Sequence, residues 1–247
     1  MRIAQCWDDG VVEDIRLIKI LRRFGAKASF NLNFGLHEEH RSTSWKYLGT
    51  KEVWRLAKSE LRDVYDGFVV ANHCYRHAPL GRVSPDVAEQ EVREGRDALE
   101  QHFGYPVTGF AYPGGSYNPA AEELVRAAGH VYARTIHMVD RVFPPENPMA
   151  FHPHCDFKDP RFWEKFARAR LADDVFYFMG HSYEILTESD WQAFEGQIAR
   201  LADEGVTWVD LPDLFKEPQH ARLVTESRAP HYPSVKNPGA SPEALRI

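Results

Sequence analysis

The alternation of short apolar runs with longer stretches of helical periodicity constrains this chain more than any other feature. Residues 3–7, 28–34, 68–71, 107–112, 131–135, 175–179 and 206–209 read as strands. Between them, Ile15, Ile18 and Leu21, then Val87, Val92, Leu99 and Phe103, then Trp191, Phe194, Ile198 and Leu201, recur at helical spacing. Ser84-Pro85, Asn118-Pro119 and Asp159-Pro160 have the chemistry of helix starts, and Gly25, Gly104, Gly129 and Gly205 that of helix stops. Thr50 is expected to cap a further helix carrying Val53, Trp54, Leu56 and Ala57. Phe162, Phe166 and Leu171 are expected to face inward from the helix after Pro160. Repeated βα units require a parallel sheet, closed as a barrel or open and doubly wound. A chain of 247 residues is long enough for one such domain.

From about residue 217 the periodicity stops, and Pro218, Pro230, Pro233, Pro238 and Pro242 interrupt the chain. Residues 1–216 are therefore expected to form the domain, and 217–247 an extended tail that wraps the surface or mediates homo-oligomer formation. The net charge of −6 offers no general attraction for nucleic acid or an anionic membrane. No stretch approaches the roughly 20 apolar residues that cross a bilayer. The first residues lack a basic segment followed by an apolar run, and Cys6, Cys74 and Cys155 are odd in number and widely spaced. A cytoplasmic protein with free thiols is the expectation.

In parallel α/β domains, sites gather at the C-terminal ends of strands. Several polar groups fall there: Asp8-Asp9-Gly10, His73 and His77, Tyr112-Pro113-Gly114-Gly115, and His181. Adjacent carboxylates repel unless a cation or a proton separates their roles. Alone, Asp8-Asp9-Gly10 reads more readily as a solvated turn. His73 and His77 are four residues apart, a spacing that on a helix puts both rings on one face. Two imidazoles and one carboxylate make a common open metal site, although an isolated HxxxH is a weak signal. Asn31 and Asn33 alternate with apolar residues on one strand, which suggests a polar interior or a site. His37-Glu38-Glu39-His40 lacks the HExxH spacing and reads as an exposed polar loop. Gly114 and Gly115 free backbone N–H groups for an oxyanion, or simply start the next helix. His181 suits a general acid near neutral pH, or a structural role.

These pieces occur in an order that resembles the polysaccharide deacetylase family, the chitin deacetylase-like group of carbohydrate esterase family four. Cys6-Trp7-Asp8-Asp9-Gly10 stands where the family has Thr-Phe-Asp-Asp-Gly, and His73-Cys74-Tyr75-Arg76-His77 where it has His-Ser/Thr-x-x-His. The resemblance spans roughly residues 3–215. It implies an irregular (β/α)7 TIM-like barrel and metal-assisted removal of an acyl group, most simply acetyl, from an amide nitrogen. Asp9, His73 and His77 would bind a divalent metal, zinc first and otherwise cobalt, manganese or iron. Asp8 would be the general base, Gly114 the oxyanion donor, and His181 the acid that protonates the leaving amine. Tyr112, Pro113, Asn31, Tyr183 and His154 are the expected substrate contacts, with Trp7 and Tyr117 either stacking on a sugar or buried.

Two departures stand out. Where the family often has an Arg paired with the base, this chain has Ala111, so Asp8 must be oriented by Arg76 or another basic group. The family's fourth motif has no clear counterpart, and Asp156 with His152-Pro153-His154 is the expected wall. The substrate is expected to be an N-acetylated sugar or a related small amide. The contrasting possibility is an inactive carbohydrate-binding or regulatory protein on the same fold.

Overall fold

The strand β1 (Arg2–Asp8) is buried from Ile3 onward, and the rest of the sheet is built around it. The structure is a computed structural model that describes residues 1–172 and 175–216, apart from the side chain at position 44. The remaining elements are α1 (Asp14–Arg23), β2 (Ser29–Leu32), β3 (Ser42–Tyr47), β4 (Lys51–Arg55), α2 (Lys58–Val64), β5 (Val69–Asn72), α3 (Pro85–Phe103), β6 (Gly109–Ala111), α4 (Pro119–Ala127), β7 (Tyr132–Arg134), β8 (Cys155–Asp156), α5 (Phe162–Leu171), β9 (Phe176–Gly180), α6 (Glu188–Asp203) and β10 (Thr207–Trp208). Met1–Phe215 form one compact unit. The tail expected over 217–247, with the self-association assigned to it, lies outside the described residues.

The main sheet is parallel throughout, in the order β7-β6-β5-β2-β1-β9-β8, and β10 shares an edge of β1. Trp7 pairs with Phe30 of β2 on one side and with Gly180 of β9 on the other. The two ends of the sheet are joined through residues 151–156: Phe151 bridges to Arg134 of β7, and β8 pairs with β9. This is the curled (β/α)7 arrangement that the motif order implies.

Strand alternation sorts the side chains into two layers. Ile3, Trp7, Phe30, Leu32, Phe176 and Phe178 pack outward against residues of α1, α2, α5 and α6. Ala4, Cys6, Tyr132, Tyr177 and Met179 form a second cluster with Phe151, Leu211 and Leu214. Tyr132 and Tyr177 come from opposite ends of the strand order yet share this cluster, so it fills the inside of the curl. Asp8 continues the inward face of Ala4 and Cys6 at the upper end of β1.

The helix boundaries follow their local chemistry. The Ser84 hydroxyl accepts from Val87 N–H with Pro85 at the first helical position, and Asn118 Oδ1 accepts from Ala121 N–H at 2.9 Å. Leu171 is 90% exposed at the last position of α5, not inward. The segment after Thr50 is not a helix. It is the second strand of the antiparallel hairpin β3–β4, which turns through left-handed Leu48 (φ 52°) and Gly49 (φ 73°). Val53 alternates with exposed Trp54 there, and pairing with β3 overrides the helical reading. Among the described residues no helix is long and apolar enough to cross a membrane.

Asp14, fully buried at the start of α1, ties three elements together. It accepts from Val11 N–H at 3.2 Å, from the Tyr65 hydroxyl at 2.6 Å, and from the Ser182 hydroxyl just after β9. Burial nevertheless raises its pKa from 3.8 to about 7. Between those values the folded protein holds a proton that the unfolded chain has lost, so Asp14 lowers stability as pH rises through that window. Denaturant titration of wild type and Asp14→Asn at pH 5 and pH 8 should show the difference moving in favour of the variant at the higher pH. Parallel pH profiles would show that Asp14 is ionised throughout.

Candidate active site

Strand ends bring Asp8, Asp9, His73, His77 and His181 together at one mouth of the barrel. Asp9, His73 and His77 each offer a ligand atom, and these atoms lie within 4.8 Å of one another. Two ligands each about 2.1 Å from one ion are at most about 4.2 Å apart, so only a small contraction closes this set on a cation. His73 and His77 do not lie on a helix as their spacing suggests. They lie in the loop after β5, where Cys74 (φ 62°) and His77 (φ 64°) are left-handed and the two rings stand 4.8 Å apart. Asp9 is left-handed too, at φ 83°. Such a conformation costs a non-glycine residue about 1–3 kcal/mol and persists only where its surroundings hold it. Gly10 (φ 67°) must be glycine, because an added Cβ would sit 2.6 Å from the His37 ring.

Two of the three donors, His73 and Asp9, are in the protonation state a metal requires. His73 Nδ1 lies 2.8 Å from the Ala111 carbonyl oxygen, which fits a donated N–H and leaves Nε2 as the donor atom to an ion. Burial pushes the His73 pKa down to about 4, so the ring is neutral at pH 7. Burial acts to raise the Asp9 pKa, but His73, His181, Arg55 and His77 outweigh it and keep the carboxyl ionised. Asn33 Nδ2 donates to Asp9 Oδ1 at 2.9 Å.

Asp8 is held differently. Asn31 Nδ2 donates to its Oδ1 at 2.7 Å, and the Arg134 guanidinium, 1% exposed, donates to its Oδ2. Against burial, Arg134, His73 and His181 hold the Asp8 carboxyl well below the usual carboxylate range. Arg134, not Arg76, therefore meets the need left by Ala111. Arg134 ends β7 on the inward face two residues after Tyr132, whereas the Arg76 guanidinium stacks on Tyr75 at 4.8 Å. The signal for Arg134 was present in the sequence: a charged residue alternating with Tyr132 along an otherwise apolar strand.

His181 Nε2 lies 3.6 Å from Asp8 Oδ2, and its Nδ1 lies 3.4 Å from Glu184 Oε1. Lys158 Nζ holds the other Glu184 oxygen at 2.7 Å. Burial opposes charge on His181, but Glu184, Asp8 and Asp9 raise its pKa to about 9. Glu184, one turn past His181 in its own loop, was missed because nothing in the strand pattern marks it. Asp156, the expected wall, ends β8 with its carboxylate accepting from Lys158 N–H at 2.8 Å, and burial raises its pKa to about 6.

The other expected residues divide. Gly114 (φ 57°) is exposed in the turn Pro113–Gly115, and an added Cβ there would meet nothing within 4 Å. Pro113 is buried beneath it. Tyr183 is nearly buried, with its ring 5.0 Å from His181 and 5.3 Å from Tyr47. Asn31 is buried, with its side-chain amide turned to Asp8. Tyr112 is core: its hydroxyl donates to the Met149 carbonyl oxygen, and it packs outward with Phe110. Trp7 is core as well, packed on Phe157 and Phe194. His154 lies in the barrel wall, where Nδ1 accepts from Tyr177 N–H and the ring packs on Phe176. His37, read as part of an exposed loop, is buried with Nδ1 2.8 Å from the Leu56 carbonyl oxygen.

The sequence matches the family model described as Polysaccharide deacetylase over residues 1–133. No curated protein matches it. Among solved structures, the deacetylase PplD of Streptococcus pyogenes, in complex with acetate, is similar at 20% identity and a TM-score of 0.50, over 60% of this chain. The match spans 61% of that protein's chain, less than two thirds of its length. A family 4 acetyl xylan esterase from Clostridium thermocellum, in complex with a cobalt ion, is similar at 15% identity and a TM-score of 0.58, covering 87% of this chain and 90% of that one. Peptidoglycan deacetylase PdaC from Bacillus subtilis is similar at 19% identity and a TM-score of 0.54, covering 86% and 88%. At these identities the likeness is one of fold.

Removing one partner of a buried ion pair costs about 3–5 kcal/mol, because the other charge stays buried alone. Arg134→Met should destabilise the protein on that scale in urea titrations, with Arg134→Lys recovering part of the loss. Arg76→Ala should change stability by no more than about 0.5 kcal/mol.

Proposed function

This chain belongs to the polysaccharide deacetylase family, and on that premise we propose that it is a metal-dependent hydrolase that removes an acetyl group from the amide nitrogen of an N-acetylated sugar or a related small amide. The observation that carries the reading is the convergence of Asp9, His73 and His77 within 4.8 Å, beside Asp8 and His181. The acetate bound to the Streptococcus pyogenes deacetylase and the cobalt bound to the Clostridium thermocellum esterase support the acyl group and the metal class. Zinc is the first choice for two imidazoles and one carboxylate, and cobalt, manganese and iron suit the same set.

A divalent ion held by Asp9, His73 and His77 would supply Lewis acidity, lowering the pKa of water from about 15.7 to about 7. The chain's own residues handle the protons. Asp8, kept ionised and oriented by Arg134 and Asn31, accepts a proton from the attacking water. His181, whose charged form Glu184, Asp8 and Asp9 favour, gives a proton to the departing nitrogen as the carbon–nitrogen bond breaks. Gly114, in the exposed turn after β6, offers its N–H to the acyl oxygen. The products are acetate and the free amine. Arg134 pairs with Asp8, the carboxylate that Ala111 cannot reach, and this supports the hydrolase over an inactive binder on the same fold.

Purified protein should hold about one divalent ion per chain by elemental analysis, and His73→Ala should lose it. Acetate release from N-acetylglucosamine and short N-acetylated oligosaccharides should fall by about 10²–10⁴-fold in Asp8→Asn. Full turnover by Asp8→Asn would remove the assigned base. No release from any N-acetylated substrate by metal-loaded wild type would overturn the reading.

A further inference from the structure

We propose that Arg55 is a positioning residue that sets Asp9 for metal binding, delivered to the site by the hairpin β3–β4; the inference rests on the metal reading above. Asp9 is left-handed, so something must hold its backbone as well as its carboxylate. Its N–H donates to the Asn31 carbonyl oxygen at 3.0 Å, and its own carbonyl oxygen accepts from Arg55 Nη1 at 2.7 Å. The same Nη1 donates to Asn33 Oδ1, and Asn33 Nδ2 donates to Asp9 Oδ1. Arg55, Asn33 and Asp9 thus close a ring of hydrogen bonds that fixes the peptide and the carboxylate together.

The guanidinium stops short of the carboxylate. Arg55 Nη2 is 3.9 Å from Asp9 Oδ1, beyond hydrogen-bond reach. A bidentate arginine–carboxylate pair would occupy the lone pairs that a metal ligand must present. Here the donors go to the carbonyl oxygen and to Asn33 instead, so the network places on the carboxylate only the single neutral hydrogen bond from Asn33 to Oδ1.

The hairpin is pinned where this requires it. Val11 bridges to Arg55, Val12 N–H donates to the Trp54 carbonyl oxygen at 2.8 Å, and Leu56 N–H donates to the Gly10 carbonyl oxygen at 3.0 Å. The Trp45 ring covers the guanidinium, with the Arg55 Cζ 4.7 Å from its centroid. Arg55 is buried, and its Nε has no hydrogen-bond partner among the described residues. A buried cation with an unmet donor is unfavourable for folding alone, which points to a role at the site.

A rival role for Arg55 is simple charge balance for the carboxylates, and the two roles have opposite consequences. If Arg55 only balances charge, its removal takes a cation away from the neighbourhood of the ion and tightens metal binding. If it positions Asp9, its removal weakens binding by about 10- to 100-fold, as loss of a group behind a metal ligand does. Zinc titration of the metal-stripped full-length protein, by calorimetry with a competing chelator, separates them. Arg55→Met should weaken zinc binding on that scale, and Arg55→Lys, which keeps the charge but loses the planar fork, should also weaken it. The visible absorption bands of the cobalt-loaded variants should shift, reporting altered coordination. If Arg55→Met does not fold, Arg55→Lys and Trp45→Leu decide the question, since each disturbs the guanidinium's seat while keeping a cation there. Unchanged or tighter zinc binding in the folded variants, with wild type binding normally, overturns the positioning role and leaves the metal site standing. Failure of wild type to bind any divalent ion overturns both.

Discussion

A carboxylate facing the inside of a parallel barrel needs a counter-charge, and the contact between Asp8 and Arg134 supplies it. The two residues are 126 positions apart, on strands separated by three others in the sheet order. They meet only because the sheet curls until β7 approaches β9 through Phe151. Closure and the ionised Asp8 are therefore conditions of each other. An open sheet would leave Asp8 without its partner, and a neutral residue at position 8 would leave Arg134 buried without one. The aromatic layer beneath, with Phe151 stacked on Tyr177 and Tyr132 on Phe215, keeps water from relieving either charge.

Much of this was legible in the sequence, for a physical reason. Asp8, Asp9, His73, His77 and His181 follow apolar runs, and a chain that alternates strand and helix must place the ends of its parallel strands on one rim. The alternation along β1 even fixes which way Asp8 points. The same rule, applied to β6, would have corrected one assignment. Tyr112 shares a face with Phe110 and so goes to the outer layer, leaving Ala111 to turn its carbonyl oxygen to His73. It would also have picked out Arg134.

What the sequence did not show lies in the irregular parts. The hairpin β3–β4 hides behind a run that mimics helical spacing, and its turn uses Leu48-Gly49, not the usual Asn-Gly. Arg55 and Trp45 came with it and could not be placed. Glu184 reaches His181 through a short turn whose geometry no periodicity encodes. His154 looked like a cleft residue because it lies in a short Pro-containing stretch, yet the two-residue strand it precedes draws it into the wall.

The matched family segment ends at residue 133, one position before Arg134. Asp9, His73 and His77 all lie ahead of that boundary; Arg134, His181 and Glu184 lie beyond it. The proposed ion ligands and the base Asp8 thus come from the front half of the polypeptide, and the proposed acid His181, with Arg134 and Glu184 that set the charges around it and Asp8, from the back half. A substitution in the back half can therefore alter the charge around Asp8 and His181 without touching any of the three proposed ligands.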